Sequence, residues 1–377
     1  MLRLQGDLQG PLVLNTPGLQ VEAQGATLRG TQGHTLVLNA PGIRVRGLRV
    51  VGAGPSSDFF DPHAGVYLEG CEGCLLEGLE VEGAPTAVRL ENSPGAKVRG
   101  IKARGMGEAP GVLAYRSPGV QVEGSELSGF MDGIYLEYTP EARILENRLL
   151  DHARYAWHVM LSWGVEVRGN LSFGNGVGSA IMHGAENRVV GNRFLGERAP
   201  IAYGLLVQGE RGTAVEANLF GENTIGLVLM DSQGVLVRAN RFEENGTALR
   251  ITRERGENSA QVMANVFQGN LYDLLVDDPK AKAEVVGNAY DRAPGLPVPH
   301  LPTSSFALLL ARQPELSLFA LSPGVLLWEG AEAQVPGLRL LALADPRPTP
   351  LPRKRAAPAA PLLLGLLGGA LWWRWRV

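Results

Sequence analysis

The chain has 377 residues, of which 35 are Lys or Arg and 38 are Asp or Glu, so its formal net charge is −3. Because these charges are dispersed along the chain, they give no electrostatic reason to expect a nucleic-acid partner. The 49 Gly and 25 Pro favour frequent turns, and no long amphipathic helical pattern precedes residue 303. We therefore predict an all-β protein.

The N-terminal region contains two near copies of one short unit. LVLNTPGLQV at 12–21 and LVLNAPGIRV at 36–45 each place an alternating strand before an Asn-x-Pro-Gly turn and a second strand after it. Residues 1–14 lack the continuous apolar stretch of a secretory signal, so we predict no signal peptide there.

An inserted segment, GAGPSSDFFDPHA at 52–64, interrupts this early pattern, and we expect it to form a surface loop. Cys71 and Cys74 follow it with the spacing of a metal-ligand pair. No second pair and no nearby His completes such a site, so a structural role is favoured for both cysteines.

A regular repeat dominates the chain from Gly133 to Tyr290. Seven asparagines recur at intervals of 22 to 26 residues, each with Ile or Val three positions earlier and, from the third onward, Phe or Tyr two positions later. This period fits three short strands per repeat, which is one turn of a parallel β-helix with turns about 4.8 Å apart. The crossover rule predicts a right-handed coil. The asparagines are Asn147, Asn170, Asn192, Asn218, Asn240, Asn265 and Asn288.

These asparagines are predicted to point into the coil and to form a ladder. A single buried amide is costly, but in a stack each amide donates to one neighbour and accepts from the other. Earlier turns carry other residues at the same position, so the ladder is expected to begin at Asn147. Those residues are Leu48, Leu79, Ile101 and Ser125.

Period-two alternation also predicts a column of outward side chains on one strand of each turn. Within it Met160 and Met182 are one turn apart, and His158 lies two residues before Met160 on the same face. Thioethers are soft ligands, and thioethers together with imidazole favour Cu(I), so we predict a copper site here. The candidate metal ligands are His158, Met160, Met182, His183 and Met230. The column reads Glu69, Glu91, Tyr115, Glu137, Met160, Met182, Gln208, Met230 and Thr252.

The same methionines support an alternative interpretation without metal. Together with Trp157, Leu206 and Val228 they would form an apolar strip that is covered by a protein partner or by C-terminal helices.

The C-terminal part of the chain changes character after Asn288. A Pro-rich link is followed by a segment that we predict to form short helices, with Ser304 among the candidate N-caps and Pro323 in a first turn. The uncharged run at 356–373 has 18 residues and is interpreted as a membrane anchor. The predicted divisions are a β-helix at 1–292, a link and helical cap at 293–345, a basic Pro-rich linker at 346–355 and a transmembrane helix at 356–377.

The run at 154–192, RYAWHVMLSWGVEVRGNLSFGNGVGSAIMHGAENRVVGN, is similar to the signature stretch of the NosD family. Members of that family are periplasmic β-helical proteins required for maturation of the copper site of nitrous oxide reductase. The segments at 202–206, 223–226, 245–249, 267–270 and 318–323 continue the resemblance. The positions that it carries over are Arg154, His158, Met160, Ser162, Met182 and the Asn ladder.

This resemblance implies an exported accessory protein that is not an enzyme. It implies partnership with an ABC-type ATPase and its permease, with a copper-carrying lipoprotein and with nitrous oxide reductase. The resemblance does not itself imply a C-terminal anchor, but the segment at 356–373 would hold the protein beside a membrane permease. One departure concerns residues 289–292, where the family usually continues with a Trp and an acidic Gly-rich turn.

A different function is kept as the alternative. Parallel β-helices also include carbohydrate-active proteins, and Asp61-Pro62-His63 resembles a short motif of uronate epimerases with this fold. The alternative is therefore a uronan epimerase or lyase, or a sugar-binding protein.

Overall fold

The computed structural model describes residues 1–278, 280–292, 304–335 and 343–351. Over these residues the chain winds into a parallel β-helix of the right-handed type, and each turn adds one short strand to three parallel sheets. Each strand pairs with its counterparts one turn earlier and one turn later, so that strand order follows the winding of the chain. The predicted β-helix is thus confirmed.

The three sheets are named here in the order in which the first turn visits them. The first sheet has 13 strands: β1 Leu2–Leu4, β4 Gln20–Ala23, β7 Arg44–Arg46, β10 Leu75–Glu77, β13 Lys97–Arg99, β16 Gln121–Glu123, β19 Arg143–Leu145, β22 Glu166–Arg168, β25 Arg188–Val190, β28 Ala214–Glu216, β31 Val235–Arg238, β34 Ser259–Met263 and β37 Lys282–Val286. The second has 14 strands: β2 Asp7–Gln9, β5 Thr27–Arg29, β8 Arg49–Val51, β11 Glu80–Glu82, β14 Lys102–Arg104, β17 Glu126–Ser128, β20 Arg148–Leu150, β23 Leu171–Phe173, β26 Arg193–Leu195, β29 Leu219–Gly221, β32 Arg241–Glu243, β35 Val266–Gln268, β38 Ala289–Tyr290 and β39 Thr349–Pro350. The third has 12 strands: β3 Leu12–Leu14, β6 Leu36–Leu38, β9 Ala64–Glu69, β12 Thr86–Glu91, β15 Val112–Tyr115, β18 Asp132–Glu137, β21 Tyr155–Met160, β24 Gly178–Met182, β27 Tyr203–Gln208, β30 Ile225–Met230, β33 Thr247–Thr252 and β36 Tyr272–Val276.

The interior of the coil is filled by stacked columns of like residues. The aromatic column predicted from the repeat stacks face to face, with ring centroids 4.8 to 5.2 Å apart and planes within 9° of parallel. All of its members are buried: Phe194, Phe220, Phe242, Phe267 and Tyr290. The spacing matches the rise between strands, so the backbone pitch itself places these rings in contact.

The Asn ladder forms as predicted. The Nδ2 of each asparagine donates to the Oδ1 of the next at 2.9 to 3.1 Å. The same Oδ1 also accepts the backbone N–H of the preceding asparagine. At the start of the column the backbone N–H of Ser125 donates to Asn147. Each amide is therefore satisfied by the turns on either side.

An aspartate from the C-terminal region closes the far end of this ladder. The backbone N–H and Nδ2 of Asn288 donate to the buried carboxylate of Asp345 at 2.8 and 3.1 Å. β39 pairs with β38 in the same region. The linker predicted from residue 346 therefore contains a strand of the second sheet, which the sequence analysis missed.

Two further polar ladders, also missed, contain buried acids. One runs through Asn175, Glu197, Asn223, Asn245 and Asn270. Glu197 accepts from the Ser172 hydroxyl at 2.8 Å and from Asn175, yet burial raises its pKa to about 7. The other ladder includes Glu210, whose pKa burial also raises.

Three short helical segments follow the coil: α1 Ser305–Arg312, a 3-10 helix at Pro314–Phe319, and α2 Pro323–Gln334. Ser304 is the N-cap of α1 and Pro323 occupies the first turn of α2, as predicted. The N-cap of α2 is Ser322. Phe306 packs against Tyr272 and Leu275 on the outer face of β36. The helices thus cover the last strand of the third sheet.

The predicted transmembrane helix at 356–377 lies outside the described residues, as does the Pro-rich stretch at 293–303. Among the helices that the structure describes, none is long and apolar enough to cross a membrane.

Cys71 and Cys74 are both buried and are joined by a disulfide bond between β9 and β10. The bond occupies both sulfur atoms, so this pair does not act as a set of thiolate metal ligands, in agreement with the predicted structural role.

Candidate metal-binding surface

The outer face of the third sheet carries the predicted methionine column. Met160 pairs with Glu137 on the preceding turn and with Met182 on the next. Gln208 then separates Met182 from Met230. The structure therefore brings the first two thioethers onto adjacent turns, whereas Met230 lies two turns, or about 10 Å, beyond Met182.

His158 lies in the neighbouring outward column, between Tyr135 on the preceding turn and Ala180 on the next. Its ring contacts the rings of Tyr135 and Tyr155, with centroids 5.1 and 4.7 Å away. The residue is only 8% exposed, and within the described part of the chain neither ring nitrogen makes a hydrogen bond. A buried polar atom without a partner costs about 1 to 3 kcal/mol, so this imidazole is suited to a ligand that would satisfy it.

A buried ion pair adjoins His158. The Oδ2 of Asp132 lies 3.4 Å from the His158 Nδ1, close enough for electrostatic attraction but too long for a well-formed hydrogen bond. Arg154 donates to both carboxylate oxygens at 2.8 and 2.6 Å. Burial alone would raise the pKa of Asp132, but hydrogen bonding to Arg154 and attraction to His158 lower it below its usual value. The sequence analysis included Arg154 and missed Asp132, although Asp132 stands directly before the aligned segment that begins at Gly133.

β24, which pairs with the His158 strand on the next turn, is one residue shorter than the strands on either side of it. Tyr155 pairs with Gly178, but His158 pairs with Ala180, so β24 spans the same distance with one residue fewer. Gly178 has a φ of +120°, and a Cβ there would lie 1.6 Å from the Tyr203 carbonyl oxygen, so only glycine fits. Such irregularities redirect side chains and are common beside functional sites. Here the small Ala180 side chain is the neighbour of the imidazole.

His183 follows Met182 in the turn that leaves the third sheet. Its φ is +59°, and its ring lies over Gly209, where a Cβ would be 2.5 Å from the His183 Nδ1. The side chain is exposed. His183 therefore adjoins the Met182 end of the column, as predicted, but it extends toward the next turn.

The inserted loop packs over the N-terminal side of this surface. The ring of Phe59 contacts Tyr135, three turns further along, and lies 5.3 Å from the guanidinium carbon of Arg154. Asp61 accepts a hydrogen bond of 2.5 Å from Arg89, whose guanidinium holds the pKa of Asp61 below its usual value. The contacts of Asp61 thus anchor the loop to the sheet.

The apolar strip of the alternative interpretation forms only in part. Ala180, Leu206 and Val228 pack together, with Met182 and Met230 partly buried against them. Trp157 was wrongly included, because it is fully buried in the coil, 6.3 Å from the ring of Phe194. Like Val159, two residues later in β21, it points into the coil. The described helices pack on β36, so Met160 and Met182 remain half-buried.

The donor set of this surface differs from that of a hard-cation site. Within the described residues no cluster of three or more His, Cys, Asp or Glu side chains is arranged to hold a metal ion. A metal bound here would therefore depend on the thioethers of Met160 and Met182 together with imidazole, a set that suits a soft ion such as Cu(I).

Comparison with solved structures shows the fold. The A-module of the mannuronan C-5 epimerase AlgE6 of Azotobacter vinelandii is 14% identical, with 72% of this chain and 85% of that chain covered and a TM-score of 0.58. The periplasmic alginate epimerase AlgG is 12% identical, with coverages of 74% and 77% and a TM-score of 0.51. Tailspike protein 3 of bacteriophage CBA120 is 11% identical, with coverages of 82% and 56% and a TM-score of 0.50. At these identities the likeness concerns the fold alone.

Sequence comparison is more specific. A comparison with curated proteins found no match. Residues 101–288 match the family model of NosD, which is described as a periplasmic copper-binding protein. The matched region contains all five candidate metal ligands and the whole Asn ladder. By this match, which confirms the resemblance seen in the sequence, the chain belongs over residues 101–288 to the NosD family of periplasmic copper-binding proteins.

Proposed function

We propose that this protein carries copper as cargo during assembly of the copper centre of nitrous oxide reductase, and that it is not an enzyme. The observation that carries the proposal is the pairing of Met160 with Met182 on adjacent turns, within the region that matches a copper-binding family. Two thioethers favour Cu(I) over harder cations, and His158 adds a buried nitrogen without a protein partner.

The charges of the same face support the approach of a cation. The outward column that continues into Met160 contains Glu137 on the preceding turn, and Glu91 and Glu69 on earlier turns. Tyr115 separates Glu91 from Glu137 in this column, and Arg89 forms an ion pair with Glu91. Glu137 is therefore the carboxylate that attracts a cation toward the thioethers, which hold a soft ion without neutralising its charge. This arrangement suits a carrier that both accepts and releases its ion.

The proposed partners follow from the family resemblance: an ABC-type ATPase and permease, a copper-carrying lipoprotein and nitrous oxide reductase. The half-buried apolar side chains of Met182 and Met230, packed beside Leu206 and Val228, support a protein contact on this face. We further propose that the protein works outside the cytoplasm, held at the membrane by its C-terminal segment.

The function is tested in a denitrifying host that lacks the gene for this chain. Nitrous oxide reductase purified from that host should be deficient in copper, and the wild-type gene should restore its copper content. A Met160→Leu/Met182→Leu double variant should fail to restore it, whereas Met230→Leu, two turns away, should succeed. Fully copper-loaded reductase in the deletion host would contradict the proposal.

A carbohydrate-active function is the second candidate, and one observation favours it. Arg154, Tyr155 and His158 lie together on an outer sheet face, and this set could neutralise a sugar carboxylate and transfer a proton at the adjacent carbon. The purified chain should then epimerise, cleave or bind uronan, with loss of activity in Asp61→Ala. Absence of both turnover and binding would reject this candidate.

A further inference from the structure

The proposed copper site does not by itself explain how the His158 ring is oriented. Its Nδ1 faces Asp132, 3.4 Å away. The two nitrogens of an imidazole diverge, so Nε2 is directed away from that carboxylate. Asp132 lies on the preceding turn and pairs with Tyr155, upstream in the strand. Met160 lies two residues downstream of His158 in the same strand, and Met182 lies beside Met160 on the next turn. Both methionines are therefore on the side of His158 opposite to Asp132.

Asp132 is itself held rigidly. It is fully buried, it accepts both hydrogen bonds of the Arg154 fork, and it also lies 3.2 Å from the backbone N–H of Tyr155, which donates to it. The guanidinium carbon of Arg154 lies in turn 5.3 and 5.1 Å from the ring centroids of Phe59 and Tyr155, and 35% of its side-chain surface is exposed. A carboxylate held by three hydrogen bonds can set the orientation of a neighbouring ring.

We infer that Asp132 is a positioning residue that fixes His158 as the Nδ1–H tautomer, with Nε2 presented to the ion held by Met160 and Met182. This inference rests on the proposed copper function and adds the third ligand atom and the group that orients it. Histidines that bind metals commonly donate their other N–H to a carboxylate, which fixes the tautomer and makes the ligand nitrogen more basic.

An ordinary structural His-Asp pair would leave a different pattern. In such a pair the second nitrogen would find a hydrogen-bond partner in the protein, because a buried orphan is costly. Here the Nε2 of His158 has none within the described residues. Its partner on the next turn is the small Ala180, and Tyr155 and Tyr203 pack against the cluster that contains Ala180. A buried nitrogen with an unpaired lone pair is what a metal ligand needs.

The test is a measurement of the tautomer in the full-length protein without metal. The chain has 6 histidines, so 15N-edited NMR of the labelled protein can resolve them, with His158→Gln used for assignment. We expect a protonated Nδ1 and an unprotonated Nε2 at His158. Asp132→Asn should mix the tautomers, while far-UV circular dichroism confirms that the variant is folded. An Nε2–H tautomer in the wild type would overturn the inference.

Titration with Ag(I), a redox-inert substitute for Cu(I), separates this inference from the proposed function. Shifts at His158 Nε2 and at the methyls of Met160 and Met182 would support both. Shifts at the methionine methyls alone would overturn the inference and leave the copper function standing, and no shift at either would overturn both. In Asp132→Asn we expect a 10- to 100-fold loss of Ag(I) affinity, on the scale known for outer-shell partners of metal ligands.

Discussion

The two halves of the coil fill the same interior position in different ways. In the N-terminal half Leu48, Leu79 and Ile101 occupy it, and all three are buried. In the C-terminal half the position belongs to the Asn ladder. An apolar column needs only contact, but an amide column needs a partner on each side and therefore a cap at each end. Ser125 supplies one cap and Asp345 the other. The same backbone thus accepts either solution, and only the second one requires a distant segment of chain.

The outer face changes at the same place. Before the ladder, the third sheet presents Glu69, Glu91 and Glu137; from Asn147 onward it presents Met160 and Met182. The candidate site therefore lies where the interior becomes hydrogen-bonded. A hydrogen-bonded interior resists slippage of register, and a fixed register is what keeps two thioethers on adjacent turns.

Loss of one ladder member should give the largest effect. Asn218→Leu removes the oxygen that accepts from both the backbone N–H and the Nδ2 of Asn192, and it leaves that buried N–H without a partner. It also removes the amide that donates to Asn240. We expect a loss of stability on the order of 4 kcal/mol. Because repeat arrays can unfold in parts, the loss of stability should be measured by hydrogen exchange as well as by chemical denaturation. The matched change Leu79→Met should cost less than about 1.5 kcal/mol. Equal costs would contradict the distinction between the halves.

One buried acid, Glu197, should make the stability of the C-terminal half depend on pH. Glu197 has a pKa near 7 in the folded chain and an ordinary value of 4.5. The raised pKa contributes stability that is complete below pH 4.5 and is lost as the pH rises to about 7, a change on the order of 3 kcal/mol. Unfolding midpoints measured from pH 4 to 8 should vary less in Glu197→Gln than in the wild type, with a residual slope because burial also raises the pKa values of Glu210 and Asp273. The exposed Glu108→Gln should retain the whole slope. A slope as large in Glu197→Gln as in the wild type would assign it to the other buried acids.

Removal of the ladder cap should have a smaller and local effect. In Asp345→Ala the last asparagine, Asn288, loses its acceptor, and we expect a loss of about 2 kcal/mol. Although burial opposes it, hydrogen bonding from Asn288 and Arg347 lowers the pKa of Asp345. Its contribution is therefore present above pH 3.8 and is lost as the pH falls. Faster hydrogen exchange at Asn265 and Asn288, with Leu48 and Leu79 unchanged, is the expected result. Uniform acceleration would show that the cap acts on the whole coil.

Much of this architecture could be predicted from the sequence because it is local and periodic. The interval between asparagines fixes one turn, the alternation fixes which side chains point outward, and the register of Met160 with Met182 follows from both. The aromatic stack of Phe194 and its successors follows from the same spacing.

The remaining features depend on departures from the period or on distant contacts. The missing residue of β24 displaces the pairing beside His158, and no repeat pattern predicts a deletion. Phe59 reaches Arg154 across 95 positions, and Asp345 reaches Asn288 across 57. Asp132 acquires its role only through a side chain of the next turn. These contacts are set by tertiary packing, which composition and spacing do not encode.

Cu(I) binding by the purified chain tests the central claim most directly. Competition with a chromophoric Cu(I) chelator under anaerobic conditions should show one bound ion in the wild type and in Met230→Leu. The same assay should show none in Met160→Leu/Met182→Leu, because the adjacent thioethers are gone. Wild-type affinity in the double variant, or no binding by any form of the protein, would contradict the account.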